Sequence, residues 1–199
     1  MFEKAFLKIA VTMGAVMAFY AAPAEARSVP KSLNLPSATT EIRSGANTLA
    51  PLAHVRFCKA YPAECRTLGP AKRVSLTPPR WKQLKMINVR INSTISPRTD
   101  QGKGAFKDQW TLSPRSGDCE DYALTKRSKL LRMGWPSSSL LIATATVPGL
   151  GGHAVLIVRT DRGDFVLDNL RNEIRSWRRT GYRWMKMQSP DNPRYWVTM

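Results

Sequence analysis

Gly117-Asp118-Cys119-Glu120-Asp121-Tyr122-Ala123-Leu124 is the stretch on which the fold turns. It follows a polar loop, Gln101 to Gly117, and opens a helix expected over Cys119 to Met133. Asp118 is a favoured N-cap residue, and Asp121, three positions on, resembles its partner in a capping pair. Acids crowd the first turn, while Lys126, Arg127, Lys129 and Arg132 fill the last two, so both ends complement the helix dipole. Gly134 and Pro136 supply the stop. A cysteine is thereby placed on the first turn of a helix, where unpaired backbone N–H groups favour the thiolate.

Upstream, Pro78-Pro79 followed by Trp81, Leu84, Ile87, Ile91 and Ile95 predicts a helix entered through proline, with an apolar stripe for the core. Downstream the period changes. Leu140 to Val147, His153 to Thr160 and Asp164 to Asp168 are short runs rich in β-branched residues. They are separated by Pro148-Gly149-Leu150-Gly151-Gly152 and by Asp161-Arg162-Gly163. Ala154 to Val158 is apolar on both faces, as a central strand requires. Tyr182 to Met187 and Tyr195 to Val197 add one or two further strands. Helices first and an antiparallel sheet after them make an α+β domain.

The chain has three cysteines and two histidines. Cys58 and Cys65 flank Pro62 at a spacing suited to a short disulfide loop, worth roughly 2–3 kcal/mol in an oxidising compartment. Cys119 is then the unpaired thiol. A nucleophile needs a base and a group to orient that base. His153 follows a glycine-rich loop at the mouth of a strand and is a better base than His54. Asp168 closes the partner strand on the same face as His153. The simplest turn register leaves Asp168 nearer Ile157 than His153, so a bulge or a longer turn is expected to bring acid and imidazole together.

The remaining features concern location and charge. Met1 to Lys8 carries two lysines, Ile9 to Ala22 is apolar, and Ala24-Glu25-Ala26 offers a small-residue cleavage site. Residues 1–26 are expected to be a secretory signal cut after Ala26. Residues 27–50, rich in Ser, Thr, Pro and Asn, are expected to be a flexible leader, and residues 51–199 the folded domain. The net charge of +17 is scattered without a zinc or RNA-binding pattern. It speaks for anionic envelope surfaces or a plain solvated basic face, and against nucleic acid.

The stretch from Gly117 to Leu124 with Lys126, then Gly152-His153-Ala154-Val155-Leu156 and Phe165-Val166-Leu167-Asp168-Asn169, resembles the bacterial transglutaminase-like cysteine peptidases of the LapG type. The likeness runs from about Leu52 to the C-terminus and takes in Trp110. It implies a papain-like, transglutaminase-like core with a Cys-bearing helix packed on an antiparallel sheet, and a triad of Cys119, His153 and Asp168. It also implies Asp118 and Glu120 in a Ca²⁺ site. Members are periplasmic endopeptidases that cut an adhesin near its N-terminus at small residues and release biofilm cells. A membrane receptor controlled by cyclic-di-GMP restrains them. Three carboxylates around one thiol should raise its pKa, and a bound Ca²⁺ would cancel that charge. Amide exchange by the same triad and a catalytically idle envelope-binding module remain open beside peptidase activity.

Overall fold

A computed structural model describes residues 35–37, 40–69, 73–100 and 108–199. In chain order the elements are β1 (Asn47–Thr48), α1 (Leu52–Ala60), α2 (Pro78–Thr94), β2 (Ser96–Pro97), β3 (Ser116–Gly117) and α3 (Cys119–Arg132). They continue as β4 (Leu140–Val147), β5 (Gly151–Thr160), β6 (Gly163–Leu167), β7 (Arg175–Ser176), β8 (Arg183–Gln188) and β9 (Trp196–Thr198). Seven strands form one antiparallel sheet in the order β1-β9-β8-β4-β5-β6-β7. The α+β expectation holds.

α2 begins where Thr77 Oγ1 accepts the Arg80 N–H at 3.4 Å with Pro78 in the first turn. Its buried residues Leu84, Ile87 and Ile91 repeat at helical spacing and pack in one core with Tyr122, Leu124 and Leu130 of α3. Leu140, Ile142, Leu156, Val158 and Leu167 complete that core from one sheet face. The alternate residues Leu141, Ala143, Val155, Ile157 and Val166 form a second cluster with Ile42, Met187 and Val197. β5 thus has apolar neighbours on both faces, which is why its sequence does not alternate.

Three particulars differ from expectation. The expected signal sequence, residues 1–26, lies outside the described residues, but the 40–50 part of the expected leader is attached to the sheet. Ile42 is buried and its N–H donates to Asp164 Oδ2 at 2.6 Å, and Asn47–Thr48 pairs with β9. β9 leaves an open edge that a composition-based reading cannot see. Secondly, the β5–β6 turn is tight, pairing Thr160 with Gly163, so neither a bulge nor a longer turn is needed. Thirdly, Lys126 and Arg127 are buried rather than displayed on the helix surface. Arg127 donates to Leu140 O at 2.9 Å and Glu64 O at 2.6 Å, tying α3 to β4 and to the disulfide loop. That loop is closed by Cys58–Cys65, with Cα atoms 5.6 Å apart.

Candidate active site

α3 starts as its sequence predicts. Asp118 and Asp121 form a capping box, and the Asp118 N–H donates to Asp121 Oδ2 at 3.3 Å. Asp121 Oδ1 also accepts from Thr111 N–H at 2.8 Å and Thr111 Oγ1 at 2.9 Å, fixing the preceding loop. A Cβ at Gly117 would stand 2.0 Å from Asp121 Oδ2, so only glycine permits this approach. Cys119, the first residue of α3, is half-buried and unpaired.

The thiol lies between a donor and an acid. Ala154 N–H of β5 donates to Cys119 Sγ at 3.3 Å, and the thiol faces Glu120 Oε2 at 3.3 Å. Burial, then the charges of Glu120 and Asp118, push the thiol pKa far above its ordinary range, while the Ala154 N–H works the other way. The excess of acid noted in the sequence is therefore a physical feature of the site.

His153 lies at the mouth of β5. Its Nε2 is 2.9 Å from Asp168 Oδ1, and both side chains are buried. The register explains the contact. Leu156 pairs with Leu167, so continuing the ladder sets Asp168 opposite Val155, a diagonal neighbour of His153 on the same face. Asp168 Oδ1 also accepts the Leu170 N–H at 3.0 Å, and Asn92 Nδ2 donates to the Asp168 carbonyl at 2.9 Å. Burial alone would raise the Asp168 pKa. Hydrogen bonds from His153 and Tyr182, with the His153 charge, carry it below the usual carboxylate range instead.

Tyr182 was missed from sequence, where it was only the expected start of a strand. Its hydroxyl donates to Asp168 Oδ2, and its ring stands edge-on to His153 with centroids 5.7 Å apart. Burial and the Asp168 charge push its pKa up to about 12, so it remains a donor. Lys126 is the other unforeseen neighbour. It is fully buried, and its Nζ has no hydrogen-bond partner among the described residues. Burial brings its pKa down to about 7, against the pull of the Asp168 charge.

Cys119 and His153 line one cleft of about 400 Å³ with Trp110, Ala145, Gly152, Ala154 and Lys186. Asp108, Asp118 and Glu120 line it too. Carboxylate oxygens of Asp100, Asp118 and Glu120 all lie within 4.8 Å of one another. Asp118 Oδ1 and Glu120 Oε1 are buried without a hydrogen-bond partner among the described residues. Burial, then a hydrogen bond with Asp118 and its charge, drive the Glu120 pKa upward. An all-oxygen cluster with orphaned buried oxygens fits a hard divalent cation. Asp100 joins it because β2 and β3 run parallel, pairing Ser96 with Ser116, and its own N–H donates to Asp118 Oδ2 at 3.2 Å. Nothing local to Asp100 marked it in the sequence.

His54 takes no part in this cleft. It is fully buried, and Trp196 Nε1 donates to its Nδ1 at 3.1 Å. Its neighbours Cys58 and Cys65 are joined to each other, which leaves no thiolate for a metal.

Among solved structures, the chain is similar to calcium-bound LapG of Legionella pneumophila, at 30% identity over 54% of this chain and 64% of that one, with a TM-score of 0.48. The EGTA-treated form of the same protein is 27% identical over 54% of this chain and 62% of that one, with a TM-score of 0.46. This chain therefore spans a little under two thirds of those proteins. No curated protein matches it. The model of the bacterial transglutaminase-like cysteine proteinases matches residues 44–199, most of the chain, and this protein belongs to that family of cysteine peptidases.

Proposed function

We propose that the protein is an exported, calcium-dependent endopeptidase of the periplasm in which Cys119 is the nucleophile, His153 the base and Asp168 the group that orients it. The observation that carries this reading is the buried His153 Nε2–Asp168 Oδ1 pair, 2.9 Å apart, beside the cleft that holds the thiol. Asp168 occupies Nε2 and leaves Nδ1 to take the thiol proton. The thiolate attacks a peptide carbonyl, and the N–H groups of the first turn of α3 receive the oxyanion. His153 returns its proton to the leaving amine, and water then releases the acyl group from sulfur.

Asp100, Asp118 and Glu120 are the residues that would hold Ca²⁺. When bound, the ion supplies positive charge beside a thiol otherwise surrounded by acids. The export signal supports a periplasmic address, and the family resemblance supports a surface adhesin as substrate and a cyclic-di-GMP-regulated inner-membrane receptor as partner. The basic surface would suit an anionic envelope.

The test is to incubate envelope proteins with wild type or Cys119→Ala, with calcium or chelator, and to map new N-termini by mass spectrometry. New termini should appear only with wild type and calcium, and should return when calcium is restored after chelation. Cross-linked amides in place of new termini would overturn hydrolysis. Chelator-insensitive cleavage by Asp118→Ala or Glu120→Ala would overturn the calcium role.

A further inference from the structure

Of the two buried cations of α3, one has a visible task. Arg127 reaches Leu140 O and Glu64 O, and so holds β4 and the disulfide loop to the helix. Lys126 reaches nothing: it is fully buried, and its Nζ has no hydrogen-bond partner among the described residues. It stands seven residues after Cys119, two turns along α3 on the same side of the helix and about 10 Å from it along the axis. α3 packs there against β5 and α2. An ammonium in such a place costs free energy unless a countercharge answers it. Methionine, of similar length and without charge, would fill the space at no such cost.

The acid whose charge acts on Lys126, against burial, is Asp168. The other groups around Asp168 leave its charge without a permanent answer. Its Oδ1 accepts from His153 and from the Leu170 N–H, and its Oδ2 accepts the Tyr182 hydroxyl. Leu170 and Tyr182 are neutral donors, and His153 is neutral whenever it is ready to act as a base. From α2, Asn88 and Asn92 hold the chain after β6 through Asp168 O, Arg171 O and Asn172 O, and they bring no charge. Arg171 acts on the Tyr182 hydroxyl. A carboxylate buried this deeply stays ionised with the help of donors and of positive charge. Lys126 is the buried cation whose field the carboxylate shares.

We infer that Lys126 is a positioning residue of the triad: its ammonium supplies the countercharge for the buried Asp168 carboxylate and, through that acid, keeps the His153 ring held at Nε2. This rests on the assignment of Cys119, His153 and Asp168 as the triad. Lys126 does not line the cleft, so its charge bears on turnover and not on substrate binding. Its influence is greatest in acid. Below about pH 7 Lys126 carries its proton, and there Asp168 comes closest to taking one up. Above neutrality the carboxylate is ionised with or without this help.

The test is Lys126→Met in the calcium-loaded protein, read by the pH profile of peptide cleavage and by carbon NMR of the Asp168 carboxyl. Loss of the opposite charge should move the acid limb of kcat/KM upward by about one pH unit, the low end of what such a neighbour does to an aspartate. On that limb the loss is about tenfold. It should fall on kcat, with KM near its wild-type value, and shrink as the pH rises. In a Cys119→Ala background, where no cleavage is needed, Lys126→Met should raise the Asp168 titration by a similar amount. If Lys126→Met does not fold, Asp168→Asn reads the same coupling from the other end, because linkage is reciprocal: nitrogen NMR should show Lys126 Nζ losing its proton at lower pH than in wild type. An Asp168 titration that stays put, or a Lys126 titration indifferent to Asp168→Asn, overturns the countercharge. A shifted Asp168 titration with an unmoved acid limb overturns the hold on His153. Cleavage that survives Cys119→Ala overturns the triad and leaves the coupling of Lys126 to Asp168 standing.

Discussion

His54 and His153 are both buried and both lie edge-on to aromatic rings, His54 against Trp110 and Trp196 and His153 against Tyr182. Their surroundings differ in what they do to a proton. His54 has a neutral donor, Trp196, on one nitrogen and Gln188 Nε2 3.0 Å from the other. Burial first, then the charges of Arg127 and Arg194, lower its pKa to about 3. His153 has the ionised Asp168 as its partner and an opening into the cleft of Cys119. An imidazole becomes a base when a countercharge answers its proton and a reactant can reach it. Burial and aromatic packing alone make it a piece of core.

The largest expected effect tests that division directly. His153→Ala should lower kcat/KM by about 10³, in the range of general acid–base catalysis, while its thermal unfolding stays close to wild type. His54→Gln should keep activity at pH 7 within a few-fold. Loss of activity in both, or in neither, would break the contrast. The readout is cleavage of a peptide substrate together with a melting curve for each variant.

The second effect lies in acid stability, and its sign follows from the direction of the His54 shift. With a folded pKa of about 3 against the ordinary imidazole value of about 6.5, the unfolded chain takes up a proton that the folded chain refuses. Stability is complete above about pH 6.5 and drains as pH falls towards 3. At pH 5 the loss is about 2 kcal/mol, from a difference of about 1.5 pH units. His54→Gln has no such proton, so its stability deficit relative to wild type should narrow by about 2 kcal/mol between pH 7 and pH 5. Urea unfolding at the two pH values measures it. A deficit that does not change with pH would show that His54 is protonated freely in the fold.

These two residues also mark how far the sequence could be read. The helix start at Cys119, its capping pair, the strand holding His153 and the strand ending at Asp168 all depend on near neighbours in the chain, and local rules reach that far. Choosing His153 over His54 rested on the glycine-rich loop beside it, which is local too. The residues that complete the site come from elsewhere. Asp100 joins Asp118 only because β2 pairs with β3, and Tyr182 reaches Asp168 from the chain just ahead of β8. No short-range signal carries either contact. Lys126 and Arg127 expose a second limit: charges on a helix read as solvated, and only the packing of α3 against the sheet shows them buried. The 40–50 segment failed for a related reason, since its partner edge on β9 lies at the other end of the chain.

The smallest effect concerns how each imidazole is held by its aromatic neighbour. Trp196 donates straight to His54, whereas Tyr182 acts on His153 through the acid, donating to Asp168 Oδ2 while its ring flanks the imidazole. Tyr182→Phe keeps the ring and deletes only the hydroxyl, so the packing on His153 survives and Asp168 loses one donor. That donor helps to keep the Asp168 pKa low, and without it the acid protonates at higher pH. The acid limb of kcat/KM should therefore move upward. The rate at the optimum should fall only several-fold, as loss of one hydrogen bond of about 1 kcal/mol would give. KM should stay near its wild-type value, because Tyr182 positions the base and does not line the cleft. A lower rate with an unmoved acid limb would reduce Tyr182 to packing, and the indirect hold on His153 would have to come from Leu170 N–H and Asn92 instead.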